Sequence, residues 1–282
     1  MTFSIVAWDG RVDPPEWGIA VASKFLAVGA VVPWARAGAG ALATQAFANL
    51  AYGPEGLDLL SGGTSAQDAI DKLTSADDQR EHRQIGVVDA RGRAATFTGG
   101  ECFDWAGGVA GDGYCCQGNI LTGSEVVERM AAAYEESSGD LTTRLLAALR
   151  AGDSAGGDKR GRQGAAVLVV REGGGYGGGI DTAVDLRVDD HPEPVAELFR
   201  LWEIHQLLFP RPEDLDFLPI DDGVADDLRG LLHVAGSGPY DDDVRKALFA
   251  YVGTENLEER WSEEAKIDRG VLDYLRKNPP EN

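Results

Sequence analysis

The residue with the most chemistry to offer stands second in the chain. In MTFSIVAWD, Thr2 follows a methionine of the kind normally trimmed in bacteria before a small residue. Trimming leaves a free α-amine on the same residue as a hydroxyl. A threonine hydroxyl is a weak nucleophile until a base takes its proton, and an α-amine with an ordinary pKa of about 7.7–8.0 is such a base. The other reading of Thr2 is a β-branched residue that merely opens a strand. Lys24, at the end of GIAVASK, falls where a second strand would finish beside the first. It either lowers the amine's pKa and steadies an oxyanion or is an ordinary exposed lysine. Gln45 and Asn49 in LATQAFAN, and Gln117 and Asn119 in YCCQGN, suit recognition of a polar amide. Main-chain N–H groups around Gln117–Asn119 suit its tetrahedral oxyanion. The loop GGDKRGRQGAA gathers Asp158, Arg160 and Arg162. Arginine forks grip carboxylates, so this loop either binds an anionic substrate or clamps the protein's own acidic surface.

These side chains need a frame. Alternation in TFSIVAW, with Phe3, Ile5 and Ala7 on one face and Thr2, Ser4, Val6 and Trp8 on the other, predicts a strand at the N-terminus. EWGIAVASKF predicts a second, and AVGAVVPWARAGAGALATQAF two more, in antiparallel meanders. YGPEGLDLLS reads as a short helix, and a second follows with Thr64 as its N-cap. RQIGVVDARGRAATFTG is a hairpin, and GVAGDGYCCQGNILTG is a strand running into a loop around Gln117 and Asn119. Two helices capped by Ser124 and Asp140 come next, then a strand pair around GGGYGGG. Strands, paired helices and returning strands indicate an α+β architecture with helices packed on sheets. From His191 the pattern is helical, and the acidic, proline-broken FPRPEDLDFLP reads as a linker. The expected domains are 1–209 and a small, mainly helical 210–282.

Several chemistries are excluded. GAGALA lacks a βαβ context for dinucleotide binding, and GGGYGGG lacks the lysine of a phosphate loop. The four histidines are scattered and no HExxH or CxxC occurs, so neither a metal nor a cofactor is expected. Cys115 and Cys116 offer a thiolate alternative to Thr2, but read more simply as small core residues. A formal charge of −21 argues against nucleic acid. No apolar run reaches the length of a membrane span and no signal peptide is seen. Three cysteines without a regular spacing fit a reducing compartment, so a cytoplasmic protein is expected.

The strings MTFSIVAWD, GIAVASKFLAVGAVVPWARAGAGALATQAFAN, RQIGVVDARGRAATFTG, GDGYCCQGNIL and GGDKRGRQGAAVLVVREGGGYGGGIDTAVDLRVDDHPEPVAEL resemble, over roughly residues 1–205, one bacterial family. It is known as domain of unknown function 1028 and is placed in the N-terminal-nucleophile (Ntn) hydrolase superfamily. The resemblance implies a four-layer αββα sandwich and maps the superfamily's first mature residue onto Thr2. It implies amide cleavage by acyl transfer to Thr2 and then to water, with Lys24 as a softer carry-over. Gly164 departs from the pattern, where serine is expected. The tail resembles a small domain labelled peptidoglycan-binding, although its acidity and the missing export signal count against wall contact.

The expectation is therefore an amide-bond hydrolase acting on a small-molecule or peptide-like amide. The alternative is a non-catalytic binding protein on the same scaffold, with the tail as an interaction domain. Leu231, Leu232, Leu248 and Phe249 either fill the tail's own core, the favoured reading, or pair two chains into a homodimer.

Overall fold

The structure, a computed structural model, describes residues 2–280. Met1, whose removal the sequence reading expects, lies outside the described residues. The fold is mixed α+β, with antiparallel sheets and eight α-helices among the described residues. The chain divides into two compact units, Met1–Arg200 and Leu201–Asn282. No helix among the described residues is long and apolar enough to cross a membrane.

The first unit begins with β1 (Thr2–Asp9), β2 (Glu16–Ser23), β3 (Pro33–Arg36) and β4 (Gly40–Ala46), then α1 (Tyr52–Ser61) and α2 (Ala66–Ser75). It continues with β5 (Arg83–Asp89), β6 (Ala94–Thr98), β7 (Gly107–Gly111) and β8 (Tyr114–Asn119). The helices α3 (Glu125–Glu136) and α4 (Leu141–Ser154) precede β9 (Gly164–Val170) and β10 (Thr182–Val188). One antiparallel sheet has the order β10-β9-β2-β1-β8-β7 and the other β3-β4-β5-β6. The expected meander is thus split between sheets. After β2 the chain turns away through Ala27, at φ 53°, and a 3-10 turn over Val28–Ala30.

Period-two alternation decides what each strand face meets. Val6, Ile19 and Val21 of the larger sheet share one buried cluster with Ala41, Ala43 and Val88 of the smaller. The opposite face of the smaller sheet presents Leu42, Ile85 and Val87 to Leu57, Leu60, Ile70 and Leu73 of α1 and α2. Close approach there depends on Gly56, where a Cβ would stand 2.5 Å from a Leu42 methyl. On the larger sheet, α4 lies over β1 and β2, and a Cβ at Gly18 would meet Leu145 at 2.6 Å. Helix α2 is capped by Ser65 rather than Thr64, because Ser65 is the extended residue whose Oγ accepts from the Asp68 N–H. Asp140 caps α4 through the Thr143 N–H, whereas Ser124 precedes α3 without a side-chain cap bond.

The division between the two compact units falls after Arg200, inside α5 (Pro194–Leu208). Leu207 and Leu208 at the end of α5 pack into the second unit's core, which carries them with the tail. That unit adds β11 (Phe217–Pro219), α6 (Asp222–Leu232), α7 (Asp242–Thr254), β12 (Lys266–Asp268) and α8 (Arg269–Lys277). The segment read as a linker therefore contains a strand, paired with β12. Leu248 is buried and Leu231 and Leu232 pack against the same core, while Phe249 remains exposed. The buried Asp268 carboxylate ties the unit together, accepting from Arg260 Nη1 at 2.6 Å, the Asp216 N–H at 2.9 Å and the α8 cap at Gly270 N–H.

Candidate functional site

Thr2 heads β1 on the same face as Ser4 and Val6, so its side chain points between the two sheets. It is 6% exposed, and its Oγ1 lies 3.2 Å from Ser23 Oγ at the end of β2. Deeper between the sheets the filling is apolar, but near Thr2 it changes to amides. Ser4 Oγ donates to Gln45 Oε1 and accepts from Gln117 Nε2, both at 2.7 Å. Gln84 completes the layer. Its Oε1 accepts from Gln45 Nε2 at 2.7 Å and Asn119 Nδ2 at 2.9 Å, while its Nε2 donates to the Gly118 carbonyl at 2.7 Å and Thr98 Oγ1 at 2.9 Å. Gln117 fits only because Gly86 faces it, since a Cβ there would stand 2.1 Å from Gln117 Oε1. That oxygen has no hydrogen-bond partner.

The amide layer borders a cleft of about 490 Å³ lined by Thr2, Gln45 and Asn119, by His82, Glu101 and Arg160, and otherwise mainly by apolar side chains. Its size lies within the range of small-molecule sites. Two wall residues, Ala46 at φ 70° and Ile120 at φ 51°, hold left-handed backbone that β-carbon residues adopt at a cost. Such strain concentrates where a fold over-determines a functional surface.

The sequence-selected residues divide accordingly. Thr2, Gln45, Asn119 and Arg160 meet at the cleft. Gln117 and Asn119 belong to strand β8 instead of a loop, flanked by β1 and β7, and Gln117 is wholly buried beneath the cleft. Its amide satisfies Ser4 rather than a solvent-borne group, which is why polar residues interrupt an otherwise apolar strand. The Lys24 ammonium is exposed and donates to the Arg162 carbonyl at 3.2 Å, while its main-chain N–H donates to Asp158 Oδ2 at 2.7 Å. Asp158 also accepts from the Arg160 N–H at 2.9 Å, so its buried carboxylate pins the turn after β2 to the basic loop. Arg162 is paired with Asp153 and Glu193 and borders a separate depression on the same unit.

Asn49 acts one step back. Its Nδ2 donates to Asp77 Oδ2 at 3.1 Å, where Arg83 Nε at 2.9 Å and Tyr52 Oη at 3.0 Å converge. Arg83 also donates to the Phe47 carbonyl, so this cluster holds the loop that forms one cleft wall. The Arg83 guanidinium holds the Asp77 carboxyl well below the usual carboxylate range, against the opposing effect of burial. A lowered folded-state pKa gives stability that is complete above the unfolded value of about 3.9 and is lost as pH falls through the folded value. Asp77→Asn is thus expected to lower the melting temperature at pH 7 and to flatten its fall below about pH 4. Thermal scans from pH 7 to pH 2.5 check this; an unchanged acid limb would deny Asp77 the role.

Ser4, Ser23, Gln84 and His82 also stand at or beneath the site but belong to no motif in the sequence; Gln84 alone carries a signal, as a lone amide within the buried strand RQIGVVD. The thiols of Cys115 and Cys116 are fully buried, and burial pushes Cys115 up to about 12 and Cys116 well above its ordinary value. Neither is placed or charged for attack. No cluster of metal-ligating side chains occurs among the described residues.

Comparison with known proteins follows the two units. A family model described as "Family of unknown function (DUF1028)" matches residues 2–198, and one described as "Putative peptidoglycan binding domain" matches residues 208–275. The crystal structure of protein SPO2555 from Silicibacter pomeroyi, assigned to the same DUF1028 model, is similar at 34% identity and a TM-score of 0.66. The similarity covers 73% of this chain and 89% of that one. No curated protein matches.

Proposed function

The chain belongs to the DUF1028 family, whose function is unknown, and on that premise we propose that it is an amide-bond hydrolase of the N-terminal-nucleophile type. The sheets and their flanking helices are read as the four-layer αββα sandwich of that superfamily. The observation that carries the reading is the placement of Thr2: first residue of a central strand, facing the cleft, with its hydroxyl beside that of Ser23.

With the residue before it removed, Thr2 holds nucleophile and base together. Oγ attacks the amide carbonyl while its proton passes to the α-amine. The same proton then goes to the departing nitrogen as the C–N bond breaks, leaving an ester on Thr2. Water attacks that ester, gives a proton to the amine, and Oγ regains one as the carboxylic acid leaves. Asn119 Nδ2 spends one hydrogen on Gln84 and lies on the cleft, so its second is the proposed oxyanion donor. Lys24 contributes through its main chain, by way of Asp158.

The test compares protein beginning at Thr2, verified by intact mass and N-terminal sequencing, with protein retaining one residue before it. On a panel of 7-amino-4-methylcoumarin amides, turnover is expected only from the first. Equal turnover by the blocked form would remove the α-amine from the mechanism.

A further inference from the structure

We infer that the cleft takes amides of apolar carboxylic acids, with an aliphatic or aryl-alkyl acyl group lying against its aromatic mouth. This rests on the amide-hydrolase reading above and adds the substrate class. Polarity in the cleft is unevenly distributed. The buried polar side chains Thr2, Gln45 and Asn119 lie together at its base. Val28 and Val32, both buried, continue the wall as hydrocarbon. At the opening stand Phe25, Phe47, Leu50 and Phe103, which are 52%, 59%, 47% and 60% exposed. Large apolar side chains left in water around a concave site mark a surface that binds apolar matter.

The mouth is also preformed. Phe47 meets the Phe103 ring edge-on at 6.1 Å and the His82 ring at 5.9 Å, and the Asp77–Arg83 cluster fixes the loop that carries it. A pocket rigid before binding spends little affinity on ordering itself. Charge points the same way. Of the titratable side chains on the wall, Glu101 is a carboxylate that repels a second one on the acyl group. Arg160 is already paired with Asp158 at 3.3 Å, and the His82 ring packs edge-on to Phe47. An uncharged acyl chain therefore fits better than a dicarboxylic one.

Straight-chain amides of 7-amino-4-methylcoumarin, from acetyl to decanoyl, with the succinyl amide as the charged comparison, test the assignment in two arms. Binding is measured calorimetrically to Thr2→Ala, which leaves the mouth intact, and kcat/KM is measured on protein beginning at Thr2. Affinity is expected to tighten by about fourfold per methylene until the cleft is full. Phe103→Asp is expected to weaken decanoyl binding by more than tenfold while acetyl binding changes less. A flat series in both arms, or succinyl favoured over butyryl, overturns the inference even if hydrolysis is seen. A rising series on Thr2→Ala with no turnover by the Thr2 protein supports the acyl cleft and defeats the hydrolase reading instead.

Discussion

Thr2→Ala is expected to abolish amide hydrolysis, lowering kcat/KM by about 10⁴-fold or more, while the protein stays folded. Removing the attacking atom of a nucleophile–base unit has effects of that order elsewhere. The structural cost is small by comparison. Thr2 Oγ1 is a buried hydroxyl beside Ser23 Oγ at 3.2 Å, and losing one neutral hydrogen bond costs about 1 kcal/mol. The two effects are therefore separable by measuring turnover and thermal unfolding on the same sample. Thr2→Ser, which keeps hydroxyl and amine, should restore turnover to within about 100-fold of the parent. The pH profile adds a signature that a structural role would not move. The amine must be neutral to accept a proton, so kcat/KM should rise through about pH 7.7–8.0 if the amine keeps its ordinary value. An alanine variant with full activity would place the chemistry elsewhere.

Much of this frame is legible in the residues alone. Alternation in TFSIVAW places Thr2, Ser4 and Val6 on one face, and the structure puts that face between the sheets. The helix pairs and the hairpin around Asp89–Arg93 follow equally directly from periodicity and turn chemistry. What alternation does not reveal is which strands become neighbours. Lys24 is close to Thr2 in strand register, but β2 also pairs with β9, and the ammonium ends on the carbonyl of Arg162. Gln117 and Asn119 look like loop residues because amides interrupt an apolar strand. They are buried because three other polar side chains, from β1, β4 and β5, arrive opposite them. No local pattern contains that meeting. The aromatic mouth is hidden for the same reason, since Phe25, Phe47 and Phe103 come from three separate connections.

Gln84 links β4, β6 and β8 within that long-range convergence. Replacing it by leucine keeps roughly the same volume and removes both ends of the amide. Gln45 Nε2 and Asn119 Nδ2 then lose a common acceptor, and the Gly118 carbonyl loses a donor at 2.7 Å, in a region where all four residues are at most 2% exposed or lie within the paired strand β8. A buried polar group left unsatisfied costs about 1–3 kcal/mol, and these groups share one network. Gln84→Leu is therefore expected to lose about 3–5 kcal/mol of stability in urea unfolding of the first unit. The surviving folded fraction carries the second expectation. Without Gln84 Oε1 to hold it, Asn119 Nδ2 is no longer aimed, and loss of one oriented oxyanion donor costs about 10²-fold in kcat. Asn119→Ala should give a comparable fall in kcat with a smaller loss of stability, because it leaves the Gln45–Gln84 and Gln84–Gly118 bonds in place. If Gln84→Leu lowers stability but not kcat, the layer is only a structural spacer between the sheets. A joint fall in both makes it the element through which packing sets the position of the oxyanion donor.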